Sequence, residues 1–298
     1  MRQIGLLVFV LSWYFSFSQQ ETKLIAPGAQ LTKAGSGYKF TEGPAVDPNG
    51  NVYFTDQPND RIYVWSPDDG QVSLWAEGLG RSNGMYFDQQ GVLISCADFR
   101  NQLWRIKADK THDVLVGKLD GKYLNGPNDL WITPQGDIYF TDPFYKRDWW
   151  DHSEKEIPQE NVYYLKNGTQ DPQIAAGDFV RPNGIIGTKN GKLLYVADIN
   201  DKKTYVFKIQ KDGRLSERKL FCNLGSDGMT IDHRGNVYLT GKGVTIFDNK
   251  GRQIGHIDVP ENWTANVTFG GKKEEFLFIT AMGAVYTLPM QVHGIRWR

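Results

Sequence analysis

The chain has 298 residues, a length that accommodates either two ordinary domains or one large all-β domain. Its content of 40% hydrophobic and 23% charged residues is typical of a globular protein rather than a disordered one. Lysine plus arginine equals aspartate plus glutamate, at 34 each, so there is no basic excess to neutralise phosphates, and nucleic acid is excluded as an expected partner.

The first 18 residues predict a secretory signal peptide. Arg2 supplies a short positive segment, residues 4–17 are largely apolar, and Ser16-Phe17-Ser18 places small residues at the spacing of a cleavage site. The apolar run is too short for a comfortable membrane span, and an uncleaved N-terminal anchor remains the alternative. We therefore expect an exported protein, periplasmic or secreted, with no stable membrane span after cleavage before Gln19.

A phrase that begins at residue 41 returns along the rest of the chain. Each copy has a polar residue, a short apolar strand, a turn that ends in glycine, and a second apolar strand. The five clear copies read "TEGPAVDPNGNVYFTD", "RSNGMYFDQQGVLISCAD", "LNGPNDLWITPQGDIYFTD", "RPNGIIGTKNGKLLYVAD" and "SDGMTIDHRGNVYLTG". A weaker sixth copy reads "ANVTFGGKKEEFLFITAMGAVYTL".

The period of the repeat predicts a six-bladed β-propeller. The turn glycines are 41, 45, 55 and 44 residues apart, and a period near 45 holds four short strands, which make one blade. Two more strand-like runs follow each copy. The segment "AQLTKAGSGYKF" ahead of the first copy is expected to add the outer strand of the last blade and so close the ring. Residues 19–298 are thus predicted to form one all-β domain of four-stranded antiparallel blades.

The longest interval belongs to the third copy. Its extra residues include "YKRDWWDHSEKEIPQEN", which follow a strand end and are expected to form a loop over one face of the ring. Trp149 and Trp150 in this loop could line a substrate entrance or serve ordinary loop packing. Asp142, Asp56 and Asp198 follow strands at one shared blade position, which favours a turn-capping role over catalysis.

The polar residue of each copy lies eight residues before the turn glycine. Because the innermost strand of every blade lines the central channel, equivalent positions on these strands converge on one axis. Five oxygen-bearing side chains are therefore predicted to meet at one end of the channel. They are Glu42, Asn83, Asn128, Asn183 and Asp227.

This set of side chains predicts a site for one divalent cation. A turn has no need of a charge at Glu42, and carboxylates that converge away from water repel each other unless a partner neutralises them. Two carboxylates and several amide carbonyls are hard oxygen donors, which favour Ca²⁺, with Mg²⁺ next. Mn²⁺ and Zn²⁺ remain open, although no histidine or cysteine occupies these positions.

The phrases "EGP", "LNGPNDL", "PNGI" and "SDGM" together resemble those of the senescence marker protein/gluconolactonase family, which includes sugar lactonases and regucalcin. The resemblance covers about Phe40 to the C-terminus. It implies a six-bladed propeller that hydrolyses lactones, often sugar lactones, with a divalent cation. The family's metal-binding Glu, Asn and Asp fall on Glu42, Asn183 and Asp227, and a further Asn, as ligand or substrate contact, falls on Asn128.

The chain departs from the animal regucalcins at two positions. They carry an arginine that contacts the sugar where this chain has Gly126, and a glutamate where it has Lys146. The part of the site that reads the sugar is therefore expected to differ, and the bacterial-type lactonases are the closer likeness.

Asp227 is the predicted general base, because it is a carboxylate at the metal position and no histidine occupies a channel position to compete with it. Asn83, Asn125 and Asn128 are the predicted substrate-binding residues, which would orient the small-molecule lactone or the attacking water.

Two other functions share these features. Propeller phosphotriesterases have a similar ring of Glu, Asn, Asn and Asp, and a propeller can also bind a ligand without catalysis. No Gly-x-Ser-x-Gly segment indicates a serine esterase, and no phosphate-binding or dinucleotide fingerprint is present. Cys96 and Cys222 are the only cysteines, and either a disulfide or two buried thiols is expected. The oligomeric state is not predicted.

Overall fold

A computed structural model describes residues 23–295, which form six four-stranded antiparallel sheets arranged around one axis. The predicted signal peptide lies outside the described residues. Each of the first three blades runs from its inner to its outer strand in chain order. Blade 1 contains β2 (Thr41–Val46), β3 (Val52–Asp56), β4 (Arg61–Trp65) and β5 (Val72–Glu77); blade 2 contains β6 (Ser82–Phe87), β7 (Leu93–Ala97), β8 (Gln102–Ile106) and β9 (His112–Val116); blade 3 contains β10 (Leu130–Ile132), β11 (Ile138–Asp142), β12 (Glu160–Leu165) and β13 (Gln173–Phe179).

The last three blades repeat this order, except that the outermost strand of blade 6 comes from the start of the chain. Two 3₁₀ turns, Gln57–Asn59 and Asp98–Arg100, are the helical segments among residues 23–295. Blade 4 contains β14 (Pro182–Gly187), β15 (Leu193–Asp198), β16 (Lys203–Ile209) and β17 (Leu215–Cys222); blade 5 contains β18 (Met229–Ile231), β19 (Val237–Gly241), β20 (Gly243–Phe247) and β21 (Gln253–Ile257); blade 6 contains β22 (Asn266–Gly270), β23 (Phe276–Ala281), β24 (Ala284–Pro289) and β1 (Thr32–Ser36).

The ring closes as the sequence predicts. Strand β1 pairs antiparallel with β24, with Thr32 opposite Thr287 and Ser36 opposite Ala284. The inner strands contact their neighbours in the order β2, β6, β10, β14, β18, β22 and back to β2. The six-bladed all-β fold, including its closure by the N-terminal strand, is therefore confirmed.

Local sequence explains the hairpins and the packing between blades. The five turn glycines predicted from the repeat have φ between 65° and 91°, a region that favours glycine. Apolar side chains from the strand faces then pack between blades. Trp131 of blade 3 lies against Gly187 of blade 4, where an added Cβ would come within 2.2 Å of the indole ring.

The aspartates predicted to cap turns do so in three blades. Each carboxylate accepts hydrogen bonds of 2.8–3.1 Å from two consecutive backbone N–H groups ahead of the inner strand. The donors are Lys39 and Phe40 for Asp56, Asn125 and Gly126 for Asp142, and Val180 and Arg181 for Asp198. This contact fastens the chain as it passes from one blade into the next.

We expect Asp198→Ala to lower the free energy of unfolding by about 2–4 kcal/mol, because two backbone N–H groups lose a charged acceptor. Asp198→Asn keeps one acceptor oxygen and is expected to lose less. Urea unfolding followed by circular dichroism measures both, and the exposed Asp148→Ala is the control, expected within about 0.5 kcal/mol of wild type. Equal stability of Asp198→Ala and wild type would contradict the capping role.

The two cysteines lie apart, Cys96 in β7 and Cys222 in β17, and both are buried free thiols. The alternative without a disulfide is therefore the observed one. Among residues 23–295, no helix has the length and hydrophobicity needed to cross a bilayer.

Candidate functional site at the channel mouth

The five predicted channel residues lie at equivalent positions of neighbouring blades. Glu42, Asn83 and Asn183 are in the inner strands β2, β6 and β14, and Asn128 and Asp227 lie two residues before β10 and β18. Adjacent positions are in backbone contact; the Gly84 N–H, for example, donates to the Asn128 carbonyl at 2.8 Å. Four of the five residues are buried and Asp227 is half-buried.

The carboxylate of Asp227 is held at both oxygens. Oδ1 accepts a hydrogen bond from Asn183 Nδ2 at 2.8 Å, and Oδ2 accepts one from the indole N–H of Trp263 at 2.6 Å. The Asn183 Nδ2 also donates to the hydroxyl of Tyr145 at 2.9 Å. Burial raises the pKa of Asp227 to about 6, although these hydrogen bonds and the charge of Arg147 oppose the rise. An oriented carboxylate of raised basicity suits a general base.

Glu42 is a second buried carboxyl group beside Asp227. Its Oε2 accepts hydrogen bonds from the Gly43 N–H at 2.9 Å and from Asn266 Nδ2 at 3.2 Å. Burial, followed by the negative charge of Asp227, holds its pKa well above the ordinary value. The folded chain thus brings two buried carboxyl groups together. Within residues 23–295 neither forms an ion pair with a lysine or arginine side chain, although the charge of Arg147 acts on Asp227 from a distance. A bound cation would relieve this repulsion.

Amide oxygens next to these carboxyl groups lack protein partners. Among residues 23–295, the Oδ1 atoms of Asn83 and Asn183 are shielded from solvent and accept no hydrogen bond. Unpaired buried acceptors are costly, and hard cations bind such oxygens well. The donor set therefore fits a divalent cation.

The fit depends on asparagine as well as on carboxylates. Over the part of the chain that the structure describes, no group of three or more His, Cys, Asp or Glu side chains is placed to hold a metal ion. The structure brings Glu42, Asn183 and Asp227 together as predicted, while the roles of individual residues as ligands stay predictions.

The next residue along each inner strand forms a second layer around the axis. It is glycine in four blades, and in blades 3 and 6 it is Asp129 and Asn266. An added Cβ at Gly228 would lie 2.0 Å from Asn266 Cγ, so the amide occupies the space that this glycine leaves. Burial raises the pKa of Asp129 to about 7, with hydrogen bonds from Leu130 and Asn266 opposing the rise. The sequence analysis did not single out Asp129 or Asn266.

We expect Gly84→Ala to destabilise the fold by about 3 kcal/mol and to displace Asn128. The added Cβ would lie 2.5 Å from the Asn128 carbonyl oxygen and 2.6 Å from Asp129 Cα, which are backbone atoms with little freedom to move. Thermal unfolding measures the effect. The control is Gly117→Ala, whose nearest neighbours at 3.6 and 3.7 Å are ordinary contacts. Equal melting temperatures for the two variants would contradict the close approach.

A cavity of about 380 Å³ continues along the channel on the far side of this layer. Its lining includes Asp129, Asn266 and apolar side chains such as Met85 and Phe269. Neither Glu42 nor Asp227 lines it within residues 23–295, so the two carboxyl groups of the site face the other end of the channel.

The loop of residues 143–159 lies over the mouth at that other end, between β11 and β12, as the sequence predicts. Both tryptophans anchor it to Asp98: Trp149 Nε1 donates to Oδ2 at 2.8 Å, and Trp150 Nε1 donates to the carbonyl oxygen at 2.7 Å. Trp150 also covers Gly126, where a Cβ would meet the indole at 2.9 Å. Packing against Trp150 thus explains the glycine at position 126.

The side chain of Asn125 is bonded to the end of this loop. Its Nδ2 donates to the carbonyl oxygen of Gln159 at 2.8 Å, while its Oδ1 is buried without a hydrogen-bond partner. Its predicted contact with substrate stays a prediction.

Residues 40–283 match the SMP-30/Gluconolactonase/LRE-like region. The chain belongs to this family. A gluconolactonase from Zymomonas mobilis is 28% identical over 93% of this chain and 86% of its own length, and a pentonolactonase from Haloferax volcanii is 28% identical over 82% of each. A solved gluconolactonase from Xanthomonas campestris has a TM-score of 0.83 at 29% identity, over 89% of this chain and 91% of its own. The resemblance drawn from the repeat phrases is therefore confirmed.

Proposed function

We propose that the protein is a divalent-cation-dependent hydrolase that opens the ring of a sugar lactone. The observation that carries the proposal is the carboxylate of Asp227, held by Trp263 and Asn183 beside the unpartnered Oδ1 of Asn183 at the channel mouth. Membership of the family and the lactonase names of its relatives support the same activity.

Glu42, Asn128, Asn183 and Asp227 would hold the cation, with Ca²⁺ favoured and Mg²⁺, Mn²⁺ and Zn²⁺ as alternatives. When bound, such a cation acts as a Lewis acid that polarises the lactone carbonyl and stabilises negative charge on its oxygen. The burial of Glu42 and of the Asn183 amide removes water that would otherwise compete for these oxygens.

The side chains of this protein would carry the proton transfers. Asp227 accepts a proton from water as the water oxygen attacks the lactone carbonyl carbon. The bond between that carbon and the ring oxygen then breaks. The ring oxygen accepts the proton from Asp227 and becomes a hydroxyl group of the product acid. Trp263 and Asn183 keep the carboxylate oriented through both steps, and Asn83 and Asn128 orient substrate or water.

A panel of sugar lactones, assayed with and without Ca²⁺ and with a chelator, tests this function. We expect hydrolysis that the chelator abolishes and the cation restores. A phosphotriester in parallel assays tests the related hydrolase class, and turnover of that compound alone would replace the lactonase proposal. No turnover of either class would favour a propeller that only binds a ligand.

We also propose that the protein is exported, to the periplasm or the medium, because residues 1–18 have the pattern of a signal peptide. Cell fractionation with mass spectrometry of the mature N-terminus tests this. A mature protein that starts at Gln19 is expected, and intact protein that starts at Met1 in the cytoplasm would contradict export.

A further inference from the structure

Two arginines flank an aromatic side chain that is one hydrogen bond from the site. Tyr145 accepts a hydrogen bond from Asn183, and the guanidinium groups of Arg181 and Arg147 lie 4.8 and 5.4 Å from its ring centre. Arg147 is close enough to Asp227 for its charge to act on that carboxylate. Both guanidinium groups therefore lie beside Tyr145 at the channel mouth.

The ion pairs of these arginines use only part of each guanidinium. Arg147 Nε lies 3.4 Å from Asp98 Oδ1, and Arg181 Nε lies 3.7 Å from Glu160 Oε2, which is beyond hydrogen-bond distance. Within residues 23–295, none of the terminal nitrogens of the two side chains has a hydrogen-bond partner. The side chains are only 22% and 31% exposed. Partly buried guanidinium groups with free forks are suited to a bidentate anion.

Asp98 holds Arg147 in place. It directly follows Ala97, which occupies in blade 2 the register position of the capping aspartates Asp56 and Asp198. The Asp98 carboxylate accepts hydrogen bonds from the side chains of Arg147 and Trp149. The guanidinium of Arg81 lies over the Trp149 ring, 4.6 Å from the ring centre. A buried carboxylate thus fixes the position of the Arg147 guanidinium at the channel mouth.

We infer that the pair Arg147 and Arg181, defined here as the rim arginines, recognises an anionic group on the lactone, a carboxylate or a phosphate ester carried away from the ring carbonyl. This inference rests on the proposed function and names its substrate class. A neutral sugar offers hydroxyl groups, which accept weaker hydrogen bonds from a guanidinium than an anion does. The rim arginines are specificity-determining residues in this reading, whereas Asp227 performs the proton transfer.

Steady-state kinetics on gluconolactone, glucarolactone and phosphogluconolactone test the inference. We expect kcat/KM for at least one anionic lactone to exceed that for gluconolactone by about 10- to 100-fold, the value of one or two charge-assisted hydrogen bonds. Whichever of the two anionic lactones is preferred identifies the anion as carboxylate or phosphate. Arg147→Gln and Arg181→Gln are expected to remove most of the preference through KM, with a smaller change for gluconolactone.

Two further variants keep the test independent of folding. Arg147→Lys keeps a charge but not the fork, so we expect it to recover part of the preference. Lys189→Gln removes an exposed positive charge from the turn ahead of Gly191 and is expected to leave the preference unchanged. Equal kcat/KM for neutral and anionic lactones, or a preference that neither rim-arginine variant changes, would overturn the inference.

Binding of product acids separates the inference from the proposed function. By calorimetry, glucarate or phosphogluconate is expected to bind wild-type protein about 10-fold or more tightly than gluconate, and Arg147→Gln to abolish the difference. If no lactone is hydrolysed but this difference is found, the proposed function fails and the anion site stands. If lactones are hydrolysed without such a difference, the function stands and the inference fails.

Discussion

Replacing Asp227 with asparagine is expected to lower kcat for lactone hydrolysis by about 10²- to 10⁴-fold, the range of general-base catalysis. Asparagine matches the carboxylate in size but takes up no proton at neutral pH. KM is expected to change less, because the substrate contacts proposed for Asn83, Asn128 and the rim arginines would be kept. Steady-state assays on the best lactone from the panel measure both constants.

The contacts of Asp227 make a second measurement necessary. Its oxygens accept from Asn183 Nδ2 and from the Trp263 indole, and an asparagine amide presents an acceptor to only one of these donors. Cation binding and thermal unfolding should therefore be measured beside activity. Asp148→Asn, on the exposed part of the loop, is the matched control and is expected to match wild type. An Asp227→Asn variant that keeps both cation affinity and turnover would refute the base assignment.

The fold could be predicted because the sequence repeats its turn chemistry. The turn glycines need φ values that other residues adopt with strain, so they mark the same point in five blades. Counting eight residues back from each reaches Glu42, Asn83, Asn128, Asn183 or Asp227. The inner hairpins of blades 1, 2 and 4 have a register irregularity at the same place, next to the channel residue. Because this irregularity repeats from blade to blade, a constant spacing still predicts a shared position on the channel.

The second layer could not be found by this count, although it has a signal in the sequence. Asn128 is followed by Asp129 where the other channel residues are followed by glycine, and this exception marks the side chain that enters the axis. Asn266 is harder to find, because the sixth copy has Ala265 at the polar position and an irregular turn. Its contact with Glu42 joins residues 224 apart in the chain.

The loop residues around the channel mouth are held by contacts that the periodicity of the strands does not predict. Trp263 and Tyr145 reach Asp227 and Asn183 from different loops, and loop conformation follows from packing rather than from spacing. The sequence raised Trp149 and Trp150 either as an entrance or as packing. Their indole N–H groups both donate hydrogen bonds to Asp98, which supports a packing role for the two rings. Asp98 also pairs with Arg147, so the same contacts help to position that arginine.

Saturating divalent cation is expected to raise the free energy of unfolding of the wild-type protein by about 3 kcal/mol at 100 times the dissociation constant. Glu42→Gln is expected to weaken cation binding by about 100-fold or more and so to remove most of this rise. The same variant is expected to make the cation-free protein more stable than wild type. Denaturant unfolding with chelator and with Ca²⁺, for both proteins, measures all three effects.

The opposite signs of these effects distinguish a cation site from an ordinary buried acid. Burial and the negative charge of Asp227 raise the pKa of Glu42. Replacing Glu42 with neutral glutamine therefore removes charge repulsion and the cost of a buried charge from the cation-free protein. A structural carboxylate that is satisfied by Gly43 and Asn266 alone would instead lose stability when it is replaced, with or without cation. If Glu42→Gln destabilises the protein equally in chelator and in Ca²⁺, Glu42 is a structural residue and the cation does not bind there.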